Sequence, residues 1–280
     1  MEYLTTLRPL SEGECIFCQT LTSELKEEHA VPSGLGGNVR IPAASCESCR
    51  QVTHAFETTA MRHTLGPGRY RLGIRPRNGE TKRRPKVWPA YKRGAEGALP
   101  IKVMIPLEKL PFFITMPTYA SYQEWDAGIP DGHELHPSDG ALLVTEEPER
   151  VVKVLTQHSA DYFSPQIDHL AFARMLAKIA ACYCVKEFGR ANFTSTLSPL
   201  ILGKTATYRR TVTSSVKPST GLEHGLTINH FEHDLMHKVS PTGNVCVRID
   251  LFKNLEAPSY YVLAGVLGGL VLRFAATAAE

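Results

Sequence analysis

The sequence predicts an α+β protein in which a small N-terminal domain precedes a larger mixed domain. Two cysteine pairs enclose a short loop near the N-terminus, and strand-like runs with one long helical pattern follow after residue 99. Paired cysteines stabilise small domains, whereas separate runs of strands and helices are typical of α+β folds. We therefore place the domains at residues 1–66 and 99–280, joined by a linker at 67–98.

The composition is that of an ordinary globular protein, with 280 residues, 43% of them hydrophobic and 21% charged. The first residues lack a basic region followed by an apolar run, so no signal peptide is expected. Seven cysteines at uneven spacing do not suit a secreted disulfide scaffold. These features predict a cytoplasmic protein.

Two segments have helical patterns. The first extends from Cys46 or Ser48 to Leu65, and the second from about Ile167 to Gly189. Basic residues recur on one side of the second helix, at Arg174, Lys178, Lys186 and Arg190. We expect this side to be solvated, with nucleic-acid contact as the alternative.

Strand-like runs lie at 101–105, 141–145, 245–252 and 260–272. The last run is apolar from Tyr260 to Leu272, which is shorter than the about 20 residues of a spanning helix. Gly268 and Gly269 divide it in the manner of a two-residue hairpin turn. We therefore predict a buried hairpin and no transmembrane segment.

Positive charge is concentrated between Arg69 and Arg93, where ten Lys or Arg residues accompany one acid, Glu80. Such a segment neutralises phosphates, and Trp88 and Tyr91 offer rings that stack on bases. The segment predicts DNA as a partner, and a solvated linker is the alternative.

The cysteine pairs are the strongest signal in the chain. Cys15 and Cys18, like Cys46 and Cys49, are separated by two residues, so that both sulfurs of each pair can bind one ion. Two such pairs complete a tetrahedral shell of four thiolates, which predicts a structural zinc ion. The remaining cysteines are interpreted as buried apolar residues: Cys182, Cys184 and Cys246.

The loop between the pairs contains EEHAVPSGLGGN, at residues 27–38, and the second pair lies in CESC, followed by RQVTHAFE. Together with CIFC, this order resembles the HNH endonucleases whose ββα-metal motif is held by four cysteines. The resemblance covers about 45 residues, near a sixth of the chain. It implies a zinc-stabilised ββα-metal fold for residues 1–66 and hydrolysis of DNA phosphodiester bonds.

The resemblance also implies roles for individual residues. His29 matches the general base that activates water, and Glu28 matches a ligand of a catalytic divalent ion such as Mg²⁺. Asn38 matches the asparagine that fixes the loop and the orientation of the histidine. A turn residue that tolerates a left-handed conformation is the alternative for Asn38.

The chain departs from the family at the position after the last cysteine, where Arg50 replaces His or Asn. His54 lies one helical turn later and is the favoured second ligand of the catalytic ion, with Glu57 as the alternative. The departure supports a second hypothesis, a non-catalytic zinc-dependent nucleic-acid-binding protein. A third hypothesis is an interaction module in which zinc is purely structural.

A histidine group follows in GLEHGLTINHFEHDLMHKV, at His224, His230, His233 and His237. His233 and His237 would share a face if the segment were helical and could then bind a metal. A strand followed by a turn would separate them. No cysteine accompanies the group, so we do not predict a metal site there.

Overall fold

The computed structural model confirms the α+β class. It describes residues 8–66, 68, 86–121, 134–145, 147–163, 167–216, 233–255 and 257–268. Within these residues the strands pair antiparallel.

The N-terminal unit runs from two strands into a helix. Strand β1 (Lys26–His29) pairs with β2 (Arg40–Ser45), and helix α1 (Glu47–Leu65) begins directly after the pair. The connecting loop contains a 3-10 turn that ends at Gly36, whose φ of 88° is one that glycine adopts without steric cost. The helix predicted to end at Leu65 is thereby confirmed.

The later elements form two further two-stranded sheets, a larger sheet and three helices within the described residues. In chain order they are β3 (Val87–Lys92), β4 (Ile101–Pro106), β5 (Ile114–Thr118), β6 (Gly140–Val144), α2 (Pro148–Gln157), α3 (His169–Phe188), β7 (Phe193–Ser195), α4 (Ser198–Ile201), β8 (Val212–Ser214), β9 (Asp234–Val239), β10 (Asn244–Asp250) and β11 (Ser259–Leu267). The larger sheet has the order β7-β11-β10-β9, and β8 also pairs with β11.

Helix α3 is the centre of the fold, and it confirms the second predicted helix. It begins at Asp168, whose Oδ1 accepts from the backbone nitrogen of Ala171 at 2.8 Å. It is apolar on almost every side, and such helices are buried. It packs against α1 and against β11. One apolar cluster therefore joins residues of the N-terminal unit to residues of the sheet, so the predicted domains 1–66 and 99–280 share a core.

The predicted linker 67–98 is not a linker over its last part. Strand β3 pairs with β4 along its whole length, and Trp88 packs on a second apolar cluster that includes Ile105 and Phe113. Residues 69–85 lie outside the described part of the chain.

The C-terminal apolar run forms β11 up to Leu267. The turn that we predicted begins at Gly268, and its second residue and the return strand fall outside the described residues. Across the part of the chain that is described, no helix is both long and apolar enough to cross a membrane.

Candidate functional site

The two cysteine pairs meet in one cluster. The ligand atoms of Cys15, Cys18, Cys46 and Cys49 all lie within 4.8 Å of one another, and the sulfurs of Cys18 and Cys46 are 3.6 Å apart. Zinc–thiolate bonds of about 2.3 Å in a tetrahedron place sulfurs about 3.8 Å apart. The cluster therefore suits a four-coordinate metal such as zinc, with no position left for a substrate.

Backbone hydrogen bonds hold the first cysteine pair against the strands. The backbone nitrogen of Cys15 donates to Thr20 O at 2.9 Å, which closes a tight turn. Ile16 N donates to Ala44 O at 2.9 Å and joins this turn to β2. The backbone nitrogen of Cys46 also points at the sulfur of Cys15, at 3.4 Å. The fold thus brings the pairs together and supports the sulfur ligands with backbone donors.

Within the cluster Cys15 is the thiol that loses its proton most readily, because burial raises the pKa of Cys18 and the hydrogen bond with Cys15 raises that of Cys49. Hydrogen bonding from Cys49 lowers the pKa of Cys15 to about 4, so a thiolate is available at neutral pH for a metal. Burial instead raises the pKa of Cys182 and of Cys246 to about 12 each. Together with Cys184 these two are buried, which confirms their interpretation as apolar residues.

His29 ends β1, and its ring is oriented by the glycine-rich loop. The Nδ1 atom lies 3.3 Å from the carbonyl oxygen of Gly37. A carbonyl oxygen only accepts, so Nδ1 donates and Nε2 retains its lone pair. The side chain is partly exposed. The site therefore presents one histidine nitrogen that can accept a proton from water.

The close approach of the loop backbone to Val31 requires glycine at position 37. A Cβ atom at this position would be 2.0 Å from the carbonyl oxygen of Val31. The adjacent Asn38 is exposed, and no hydrogen bond of its side chain is found to any described residue. The carbonyl of Gly37, rather than the side chain of Asn38, orients His29.

A buried lysine from α3 lies between two carboxylates that we expected to bind a divalent ion. The Nζ atom of Lys178 is 3.0 Å from Oε1 of Glu28 and 2.9 Å from Oε1 of Glu57. It also donates to the backbone oxygen of His29. The ammonium group therefore forms ion pairs with two carboxylate oxygens and a hydrogen bond with one backbone carbonyl oxygen. The side chain of Lys178 is 0% exposed, and those of Glu28 and Glu57 are 11% and 12% exposed.

The charges in this group depend on one another. Burial lowers the pKa of Lys178, but the negative charges of Glu57 and Glu28 oppose burial, and the pKa lies above its usual range. Burial raises the pKa of Glu57, and the attraction of Lys178 opposes this rise only in part. Ser45 Oγ donates to the second oxygen of Glu28 at 2.9 Å. The lysine therefore stays charged and holds both carboxyl groups.

The structure does not assemble the divalent-ion site predicted from Glu28, His54 and Glu57. His54 is exposed on α1, and Arg50 pairs with Glu47 at 3.0 Å. Among described residues, the cysteine cluster is the one group of three or more metal-binding side chains close enough to share an ion. The physical reason is that Lys178 already occupies the space between the two carboxylates.

Sequence reasoning missed Lys178 because it assigned the basic side of α3 to solvent. That expectation is wrong for Lys178, and two of the other three residues are partly exposed but also contact protein groups. Arg174 lies 4.8 Å over the ring of Phe56, Lys178 is buried, and Arg190 donates to backbone carbonyls of the N-terminal unit. Lys186 is exposed. The available signal was a single lysine within the apolar run MLAKIAACYCV, where a buried cation requires partners.

The histidine group does not converge on a metal within the described residues. His233 precedes β9, where Nε2 donates to Leu35 O at 2.7 Å and Nδ1 accepts from the backbone nitrogen of Phe252 at 3.3 Å. His237 lies in β9 and contacts the hydroxyl of Tyr183 at 2.9 Å. His224 and His230 lie outside the described residues, as does segment 69–85.

The aromatic residues of the basic segment already have protein partners. The ring of Tyr91 lies 5.9 Å from that of Tyr162 in a stacked arrangement, and Trp88 is partly buried in the second apolar cluster. Stacking of these two rings on bases would therefore compete with contacts inside the fold.

No protein-family model, curated protein or solved structure matches the chain. Two features of the molecule point to a function: the cysteine cluster, and the oriented His29 beside the group formed by Glu28, Glu57 and Lys178.

Proposed function

We propose that the protein hydrolyses phosphodiester bonds in DNA, as an HNH-type endonuclease with His29 as the general base. The hydrogen bond from His29 Nδ1 to Gly37 O supports the proposal most, because it leaves Nε2 as a proton acceptor on a residue that is partly exposed. In this reaction Nε2 takes a proton from water, the hydroxide attacks phosphorus, and the P–O bond to the leaving oxygen breaks. The leaving oxygen takes up a proton from solvent.

Zinc has a structural role in this proposal. Four thiolates from Cys15, Cys18, Cys46 and Cys49 fill its coordination shell, so it supplies no Lewis acid to the substrate. Zinc instead ties the start of α1 to the first cysteine turn and so holds β1 and β2 in place. A reducing compartment such as the cytoplasm keeps these thiols free for the metal.

DNA is the proposed polyanion partner because of the charge of segment 69–93. Its ten basic residues follow α1 directly in the sequence, and α1 belongs to the same unit as His29. Nothing in the segment supports a base-specific contact, so we propose binding through phosphates.

The resemblance also implies a catalytic divalent ion such as Mg²⁺ beside Glu28. The residues present do not fit it, because Lys178 pairs with both Glu28 and Glu57. We therefore assign no step to such an ion.

A non-catalytic nucleic-acid-binding protein is the second candidate. The same lysine favours it, since a lysine enclosed by two carboxylates and 0% exposed cannot touch a scissile phosphate. Arg50 at the position after the last cysteine also favours it, because a guanidinium does not bind a metal ion.

A plasmid-nicking assay distinguishes the two candidate functions. Purified zinc-loaded protein is incubated with supercoiled plasmid, with and without Mg²⁺ or Mn²⁺. Conversion to open circles by the wild type, and not by His29→Ala, is the expected result. Retardation of the plasmid without nicking under any condition would favour the binding protein. Zinc content is measured for both proteins, so that loss of the fold is not mistaken for loss of the base.

A further inference from the structure

Glu28 and Glu57 form a pair of buried carboxylates of the kind that binds a metal ion. In this protein the cation between them is the ammonium group of Lys178. Two carboxylates converge from β1 and α1, and the opposite charge arrives from α3. A buried carboxylate pair is costly unless a cation neutralises it. In this chain the cation is covalently attached, so one of the two negative charges is balanced at every concentration of free metal.

The contacts of the ammonium group are complete. It reaches Oε1 of Glu28, Oε1 of Glu57 and the backbone oxygen of His29. Oε1 of Glu57 has no hydrogen-bond partner among the described residues, apart from its ion pair with Lys178. An entering divalent ion would have to displace an ammonium group that has no exposed surface, and would leave it without acceptors.

We propose that Lys178 takes the position of the divalent cation at Glu28 and acts as a positioning residue for Glu28 and His29. The ammonium fixes the carboxylate of Glu28 and the backbone of His29 at the same time, next to the bond between His29 and Gly37. The orientation of the base therefore depends on α3 rather than on a bound ion. This inference deepens the proposed function, but its first test does not require nuclease activity.

The first test measures Mn²⁺ binding to zinc-loaded protein by electron paramagnetic resonance of free Mn²⁺. Wild type and Glu28→Gln should give superimposable binding curves, because Glu28 of the wild type holds no divalent ion that the variant could lose. One Mn²⁺ per chain in the wild type, absent in Glu28→Gln, would overturn the proposal. Zinc is quantified before and after titration, so that exchange at the cysteines is recognised.

Removal of the lysine should create the missing site. In Lys178→Met the carboxylates lose their cation, so this variant should gain a Mn²⁺ site and its melting temperature should rise on addition of Mn²⁺. Lys186→Met, exposed on the same helix, is the matched control and should show neither change. A folded Lys178→Met without a gained site would contradict the proposal. If Lys178→Met does not fold, the comparison of wild type with Glu28→Gln decides.

A second test rests on the proposed function. Nicking by zinc-loaded wild type should persist without added Mg²⁺, and His29→Ala should abolish it. Nicking that requires Mg²⁺ and is lost in Glu28→Gln would overturn the role of Lys178 and leave His29 as the base. Undiminished nicking by His29→Ala would instead overturn the proposed function, while the Mn²⁺ measurements would still decide on Lys178.

Discussion

Lys178 donates from Nζ to the backbone oxygen of His29, a residue 149 positions earlier in the chain. The bond joins the central helix α3 to the end of β1. Because the same ammonium pairs with Glu28 and Glu57, the candidate base belongs to a unit that residues 1–66 do not complete by themselves.

The first prediction concerns the stability of this buried group. Lys178→Met should lower the free energy of unfolding by about 3–5 kcal/mol, because it leaves two buried carboxyl groups without a cation. Urea denaturation measures the change. Lys186→Met on the exposed side of α3 should change stability by less than about 0.5 kcal/mol.

Glu57→Gln provides the second side of a double-mutant cycle with Lys178→Met. The double variant should be more stable than the sum of the single effects predicts, by about 0.5–3 kcal/mol, because the residues are in direct contact. Strictly additive effects would show that the ion pair does not exist in solution.

The second prediction concerns zinc. Cys46→Ser should lose bound zinc and melt at a lower temperature, because one of four thiolate ligands is removed. Elemental analysis and thermal unfolding measure both effects. Cys246→Ser is the control, since this cysteine is buried in the sheet away from the cluster and should retain zinc. Equal zinc content in Cys46→Ser and the wild type would refute the assignment.

The third prediction concerns the glycine-rich loop. Gly37→Ala should destabilise the protein by well over about 1 kcal/mol, because the new methyl group would overlap the backbone of Val31. Gly97→Ala is the control: its φ of 81° disfavours alanine, but no atom lies within 4 Å of the new carbon. Urea denaturation compares them, and equal losses would show that the close approach to Val31 is absent.

The cysteines, the glycine-rich loop and Lys178 differ in how far the local sequence predicts their roles. The spacing of Cys15, Cys18, Cys46 and Cys49 predicts a shared metal because it is a local property of two turns. The glycines at 36 and 37 likewise predict a tight turn that residues with a side chain would not easily form. Lys178 acts only through contacts with residues about 120 or more positions earlier, and its identity alone suggested a solvated charge.

The helices follow the same rule. The bounds of α1 and α3 could be predicted from apolar spacing and from the glycines after them. The environment of the basic residues of α3 could not be predicted, because it depends on α1 and on the sheet, which pack on this helix. The sequence therefore did not show that Lys178 pairs with Glu28 and Glu57, the expected ligands of a divalent ion.

The fourth prediction concerns acid stability through His233. Burial lowers the pKa of His233, with Leu35 O and the charge of Asp234 opposing the shift. A lowered pKa in the folded state contributes stability above the unfolded value of 6.5, and this contribution is lost as the pH falls through the folded pKa. His233→Gln cannot be protonated, so it should lack this part of the pH dependence.

Unfolding by urea between about pH 7.5 and 5 measures this effect. The wild type should lose more stability over this interval than His233→Gln does. His136→Gln is the matched control, because the only hydrogen bond found for the His136 side chain among described residues is to Ser138 O, and this variant should behave as the wild type. Parallel curves for the wild type and His233→Gln would refute the buried neutral state of His233.

The most direct test of His29 as the general base is the nicking rate of His29→Ala, compared with wild type at equal zinc content and equal retardation of the plasmid. Zinc-loaded wild type should convert supercoiled plasmid to open circles, and His29→Ala should do so about 10²–10⁴-fold more slowly. The melting temperatures of the two proteins should agree, since the side chain is partly exposed. Undiminished nicking by His29→Ala would contradict the role of His29 as the general base.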